Sequence, residues 1–109
     1  MNNMAIKIAQ ESKYRGEDYW DWWVWIDGSQ EELDQIDRVI YILHPTFPNP
    51  VRETSDRSRK FLMKTAGWGV FLLRATVKYK DGRETSLEHY LEFEHPDTED
   101  WATSGNDVY

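Results

Sequence analysis

An all-β fold, an antiparallel sandwich of the immunoglobulin type with one short helix, is what this sequence of 109 residues predicts. Three observations carry that prediction. Apolar residues recur mostly with period two, which is the spacing of alternate side chains on a strand. β-branched and aromatic residues are dense in the same segments. Turn chemistry interrupts them at short intervals, and no amphipathic stretch is long enough for a substantial helix. A small closed barrel is the alternative built from the same parts.

The elements follow in order. The patterning places strands at about residues 4–12, 19–27, 37–44, 59–65, 69–80 and 85–94. Asp81-Gly82, between Tyr79 and Thr85, marks a hairpin turn, because Asp and Gly tolerate the positive φ that such turns require. One helix of at most two turns is expected from Ser29 to Ile36, where Ser29 and Glu32 have capping-box spacing and Glu31, Glu32 and Asp34 suit the positive end of the helix dipole. Residues 1–96 are read as one domain. Residues 97–109 are read as an acidic tail that Trp101 and Tyr109 can anchor.

Charge and composition narrow the function classes. The formal net charge is -7, with Glu92, Glu94, Asp97, Glu99 and Asp100 close together, so the protein as a whole repels nucleic-acid phosphates. Arg52, Arg57, Arg59, Lys60 and Lys64 cluster locally, but Glu53 and Asp56 interrupt them, and a solvated connection is the expectation. No apolar run approaches the length of a membrane span and no signal peptide is apparent. The chain has no cysteine, which fits a reducing, cytoplasmic setting. His89, Glu92 and His95 would not share one strand face, so no metal site is expected, and no cofactor is implied. No nucleophile stands beside a base, and a non-catalytic protein is expected.

Two segments stand out from core patterning. Leu43-His44-Pro45-Thr46-Phe47-Pro48-Asn49-Pro50 and Gly67-Trp68-Gly69-Val70-Phe71 are punctuated by prolines and glycines, which marks both as loops. Loops lie at the surface, where these side chains meet ligands more readily than they fill a core. If the fold brings the loops together, Phe47 and Trp68 become walls of an aromatic slot.

The second and third strands raise a different question, since both faces of each are apolar. Trp22, Val24 and Ile26 alternate with Trp23 and Trp25, and Val39, Tyr41 and Leu43 alternate with Ile40 and Ile42. Leaving Trp23, Trp25, Ile40 and Ile42 wet would forgo burial worth about 1.5–3 kcal/mol per side chain. An interaction face made of these four residues is therefore expected, covered by the tail, by a second copy of the chain or by another protein.

In colinear order, Trp22-Trp23-Val24-Trp25-Ile26-Asp27-Gly28, then Val39 through Pro50, then Gly67 through Phe71, then Leu87-Glu88-His89-Tyr90-Leu91-Glu92-Phe93, the chain resembles the YEATS domain family, in its prokaryotic branch. The resemblance implies an immunoglobulin-like sandwich and a binding mode in which loops at one end hold an acylated lysine, acetyl or crotonyl. By motif position it implies a ligand site of His44, Thr46, Phe47, Gly67, Trp68 and Gly69, with Tyr19 beside it. The family often has serine where this chain has Thr46, and an aromatic residue where it has Asp18, next to Tyr19 and Trp20. The implied partner is an acylated protein or peptide. The rival expectation is a structural or protein-interaction domain that associates through the Trp23, Trp25, Ile40 and Ile42 face and recognises no small ligand.

Overall fold

The computed structural model describes residues 6–93, which form two packed antiparallel sheets. The first sheet contains β1 (Lys7–Gly16), β2 (Tyr19–Asp27) and β5 (Met63–Gly67) in the order β1-β2-β5. The second contains β3 (Ile36–Ile42), β4 (Val51–Thr54), β6 (Leu72–Tyr79) and β7 (Glu84–Tyr90) in the order β4-β3-β6-β7. Between them the inward residues fuse into one core. Trp22, Val24 and Ile26 from β2 meet Val39, Tyr41, Leu73, Ala75 and Val77 from the second sheet. The immunoglobulin-like sandwich expected from the alternation is what forms, and neither sheet closes into a barrel.

The helix is α1 (Gln30–Asp34), and its start follows from the sequence. Ser29 Oγ accepts from the Glu32 N–H at 3.1 Å while Glu32 Oε1 accepts from the Ser29 N–H at 3.0 Å, so two otherwise orphaned donors are satisfied reciprocally. Leu33 is the residue that α1 buries. At the other turn, Gly82 takes φ +95° in a three-residue loop closed by Tyr79 N–H to Arg83 C=O at 2.8 Å.

Several boundaries differ from the sequence expectation. β1 runs on to Gly16, because Glu17 and Asp18 make a two-residue hairpin turn with φ of +57° and +59°. Glu17 does not favour that region, which costs an ordinary side chain about 1–2 kcal/mol, and Asp18 tolerates it less well than glycine does. The double substitution Glu17→Asn with Asp18→Gly is accordingly expected to stabilise the fold by about 1–2 kcal/mol, read as a higher urea midpoint at unchanged slope. An unchanged or lower midpoint would contradict this account of the turn.

β4 falls in a segment where the patterning predicts no strand, and β5 begins at Met63 instead of near residue 59. A 3-10 turn at Arg57–Arg59 precedes it, followed by Lys60 and Phe61, both left-handed at φ +57° and +60°. Phe61 is fully buried, and its carbonyl accepts from the Tyr41 hydroxyl at 2.8 Å. Burial pushes the Tyr41 phenol pKa up, so the hydroxyl stays a donor.

The cations between the loops are engaged locally. Arg57 pairs with Asp34 at 2.9 Å and Arg59 faces Asp56 at 3.8 Å, while Lys64 lies 5.4 Å from the Trp23 ring centroid.

The expected single face of Trp23, Trp25, Ile40 and Ile42 is corrected by the topology. β2 and β3 lie in different sheets, so residues pointing away from the core on one point opposite to those on the other. Trp23 and Trp25 are half-buried on the outside of the first sheet. Ile40 and Ile42 lie on the outside of the second, and Ile42 is exposed. They cannot form one continuous patch. The tail carrying Trp101 and Tyr109, and His95, lie outside the described residues. No helix among the described residues is long and apolar enough to cross a membrane.

Candidate functional site

At one end of the sandwich three chain segments converge: the start of β2, the loop between β3 and β4, and the loop between β5 and β6. They enclose an open cleft of about 350 Å³. Its lining includes all seven residues named from sequence, namely Tyr19, His44, Thr46, Phe47, Gly67, Trp68 and Gly69. Pro48, Ala66, Val70 and Phe71 also line it and were not singled out as site residues. Phe71 closes the same Gly-Trp-Gly-Val-Phe run, and that position was the available signal.

The loop between β3 and β4 is held at its base by Leu43 N–H to Pro50 C=O at 2.7 Å and folded internally by Phe47 N–H to His44 C=O at 3.0 Å. Asn49 supplies the left-handed step, φ +51°, which Asn tolerates better than most residues. This geometry turns Phe47 back toward the core. Its ring packs edge-on against Trp22 at 6.2 Å and lies 5.5 Å from Phe71, so Phe47 is a wall rooted in the sandwich. Trp68 is the opposite case, a projecting side chain that is 75% exposed.

Space at Gly67 is tight. A Cβ there would come within 3.3 Å of Phe47 Cζ and 3.8 Å of Trp22 Nε1, so the bare backbone lets Phe47 approach. Gly69 differs, because a Cβ there would point into open space.

The polar part of the cleft is a pair. His44 Nδ1 lies 2.9 Å from Thr46 Oγ1 and 3.3 Å from the Thr46 backbone nitrogen. A backbone N–H only donates, so Nδ1 accepts from it in the tautomer that carries its proton on Nε2, and in that tautomer the Thr46 hydroxyl donates to Nδ1 as well. The lone pairs of Thr46 Oγ1 are then left to accept from a ligand N–H.

Away from the cleft, hydrogen bonding to Ser58 lowers the pKa of Asp56, and bonding to Arg83 lowers that of Asp81. His89 is held low by burial, opposed by Glu92, and its Nε2 sits 2.8 Å from Gln10 Oε1 inside the β1–β7 contact. No cluster of three metal-ligating side chains occurs among the described residues.

Comparison with known proteins agrees with this architecture. Residues 20–92 match the model of the prokaryotic YEATS domain. The chain is 41% identical over 68 residues to transcription initiation factor TFIID subunit 14 of Schizosaccharomyces pombe, a match covering 62% of this chain and 27% of that protein. It is 34% identical over 83 residues to the AF-9 homolog of Eremothecium gossypii, covering 72% of this chain and 39% of that one. The chain thus spans well under half the length of these relatives. Among solved structures, the Yaf9 YEATS domain recognising an H3K122suc peptide superposes with a TM-score of 0.61 at 25% identity, over 84% of this chain and 70% of that one. The matched segment runs from β2 through β7 and contains both cleft-forming loops, and on that basis this chain belongs to the prokaryotic YEATS domain family.

Proposed function

We propose that this domain is a non-catalytic binding module whose cleft takes the side chain of an acylated lysine, acetyl or crotonyl, presented by a protein or peptide. The observation that carries the reading is the convergence of Phe47 and Trp68 with the His44–Thr46 pair around one open cleft. The solved relative that recognises an H3K122suc peptide supports the same class of ligand.

The chemistry suits a flat neutral amide. Acylation removes the lysine charge, so the chain leaves water without the cost of desolvating an ammonium. Aromatic faces at Phe47 and Trp68 then contribute about 0.5–1.5 kcal/mol each beyond area burial. The amide N–H donates to Thr46 Oγ1. The acyl carbonyl accepts from the backbone N–H of Trp68, in the turn flanked by Gly67 and Gly69, which spares the about 1–3 kcal/mol cost of burying an unpaired group.

Calorimetric titration with acetyl-lysine, crotonyl-lysine and unmodified peptides of one sequence tests this directly. Both acyl peptides are expected to bind with Kd in the range of about 10–500 μM, some 4.5–7 kcal/mol, and the unmodified peptide at least about tenfold more weakly. Absence of acyl-peptide binding at millimolar concentration would sink the reading.

A further inference from the structure

We infer that Arg52, on the edge strand β4, is a positioning and specificity-determining residue for the cleft: its guanidinium fixes the Phe47 wall and biases the slot against an unmodified lysine. The inference rests on the acyl-lysine reading of the cleft for its second half only. Arg52 lies opposite Tyr41 in the β3–β4 register, on the side of the ladder that faces the core, and it reaches back along the loop that precedes it.

Three contacts converge from this one side chain. Nε donates to the Asn49 carbonyl at 3.0 Å and one terminal nitrogen donates to the Pro48 carbonyl at 2.9 Å. The guanidinium carbon stands over the Phe47 ring, 5.9 Å from its centroid. The two carbonyls belong to the residues that immediately follow Phe47 and include its left-handed Asn49. A planar fork satisfies both carbonyls at once while its charge stands over the ring; an ammonium cannot do this from one position. The loop is thereby tied at Leu43–Pro50 and again at Pro48–Asn49, with Phe47 between the ties.

The charge has its own consequence. An aromatic slot by itself attracts a cation to the face of its rings, so an unmodified lysine would be drawn in as well as an acylated one. A fixed guanidinium over Phe47 places a like charge on the order of 10 Å from an ammonium stacked on the same ring, which disfavours that cation by about fivefold in a partly screened setting. A neutral acyl-lysine feels no such opposition. Arg52 therefore acts on the occupant's charge, while Thr46 and Trp68 act on its amide.

Arg52→Lys and Arg52→Ala separate the two roles. With crotonyl-lysine and unmodified peptides, Arg52→Lys should lose about tenfold in crotonyl affinity, because the fork is gone, but keep the acyl preference, because the charge remains. Arg52→Ala should lose comparable affinity and about fivefold of the preference as well. Millimolar guanidinium chloride, but not sodium chloride at equal concentration, should restore part of the affinity of Arg52→Ala. In the ligand-free protein, the 13C-labelled ring signals of Phe47 should shift and broaden in both variants while those of Phe61 stay in place.

Unchanged Phe47 signals in Arg52→Ala would overturn the positioning role whether or not any peptide binds. Equal loss of affinity for both peptides in Arg52→Ala would overturn the specificity role, and no recovery of affinity with guanidinium would count against the positioning role. Altered Phe47 signals in a protein whose wild type binds no acyl peptide would support the positioning role and count against the proposed ligand alone.

Discussion

Trp68→Ala is expected to cost at least about tenfold in affinity for acetyl- and crotonyl-lysine peptides while leaving the thermal midpoint within about 2 °C of wild type. The two halves come from one fact: the side chain is 75% exposed, so the fold gains little from it, whereas a ligand stacking on it would bury it. Exposed substitutions away from special backbone positions stay within about 0.5 kcal/mol. Losing a stacked aromatic wall removes its contact energy together with part of the apolar burial, which is about 1.5 kcal/mol or more and thus about a factor of ten. Fluorescence anisotropy of labelled peptides, read beside a melting curve, checks both. A variant that binds as wild type does would show that Trp68 is not a wall of the binding slot, and one that melts much earlier would show that it is part of the core.

The largest expected loss of stability belongs to Phe61→Ala, at about 3–5 kcal/mol, or a midpoint lowered by some 15–30 °C for a domain of this size. Phe61 is 0% exposed and follows another left-handed residue, Lys60, whose carbonyl accepts from Ile26 N–H at 2.9 Å. Alanine at φ +60° keeps the backbone strain and discards the packing that holds it in place. Tyr41→Phe isolates the hydrogen bond to the same residue and should cost less, about 1–3 kcal/mol, since it leaves the Phe61 carbonyl buried without that donor. Urea denaturation of the two variants orders these terms. A Phe61→Ala loss below that of Tyr41→Phe would mean that the site collapses around the missing ring.

Much of the fold is legible because local chemistry and global arrangement agree. The dense β-branched and aromatic residues from Trp22 to Ile26 mark a strand before any partner strand is known, and the Ser29–Glu32 box fixes the start of the helix. What escaped is physical in each case. β4 is four residues of an edge strand with Val51 exposed and Arg52 and Glu53 in its middle, so it has no apolar face to announce it. The Glu17–Asp18 turn has no glycine or asparagine to announce it, and Glu17 is not a residue that sequence rules place at positive φ.

The placement of Trp23 and Ile40 on opposite sides depends on which sheet each strand joins. Alternation along one strand does not contain that information; pairing does. The cleft is legible in a different way. His44, Thr46, Phe47, Gly67 and Trp68 are visible as a motif, but the hand of Arg52 on the loop is not, because an arginine in a basic spacer looks like solvent-facing charge until the chain is folded.

The uneven exposure of the tryptophans also gives the domain an optical label. Trp20 and Trp22 are buried and Trp23 and Trp25 half-buried, while Trp68 is largely in water. In a Trp101→Phe background, the red edge of the emission and most of the acrylamide-quenchable intensity therefore originate at the mouth of the cleft. A molecule settling there would shift that component to the blue and shield it from quencher, so occupancy can be followed without attaching a dye.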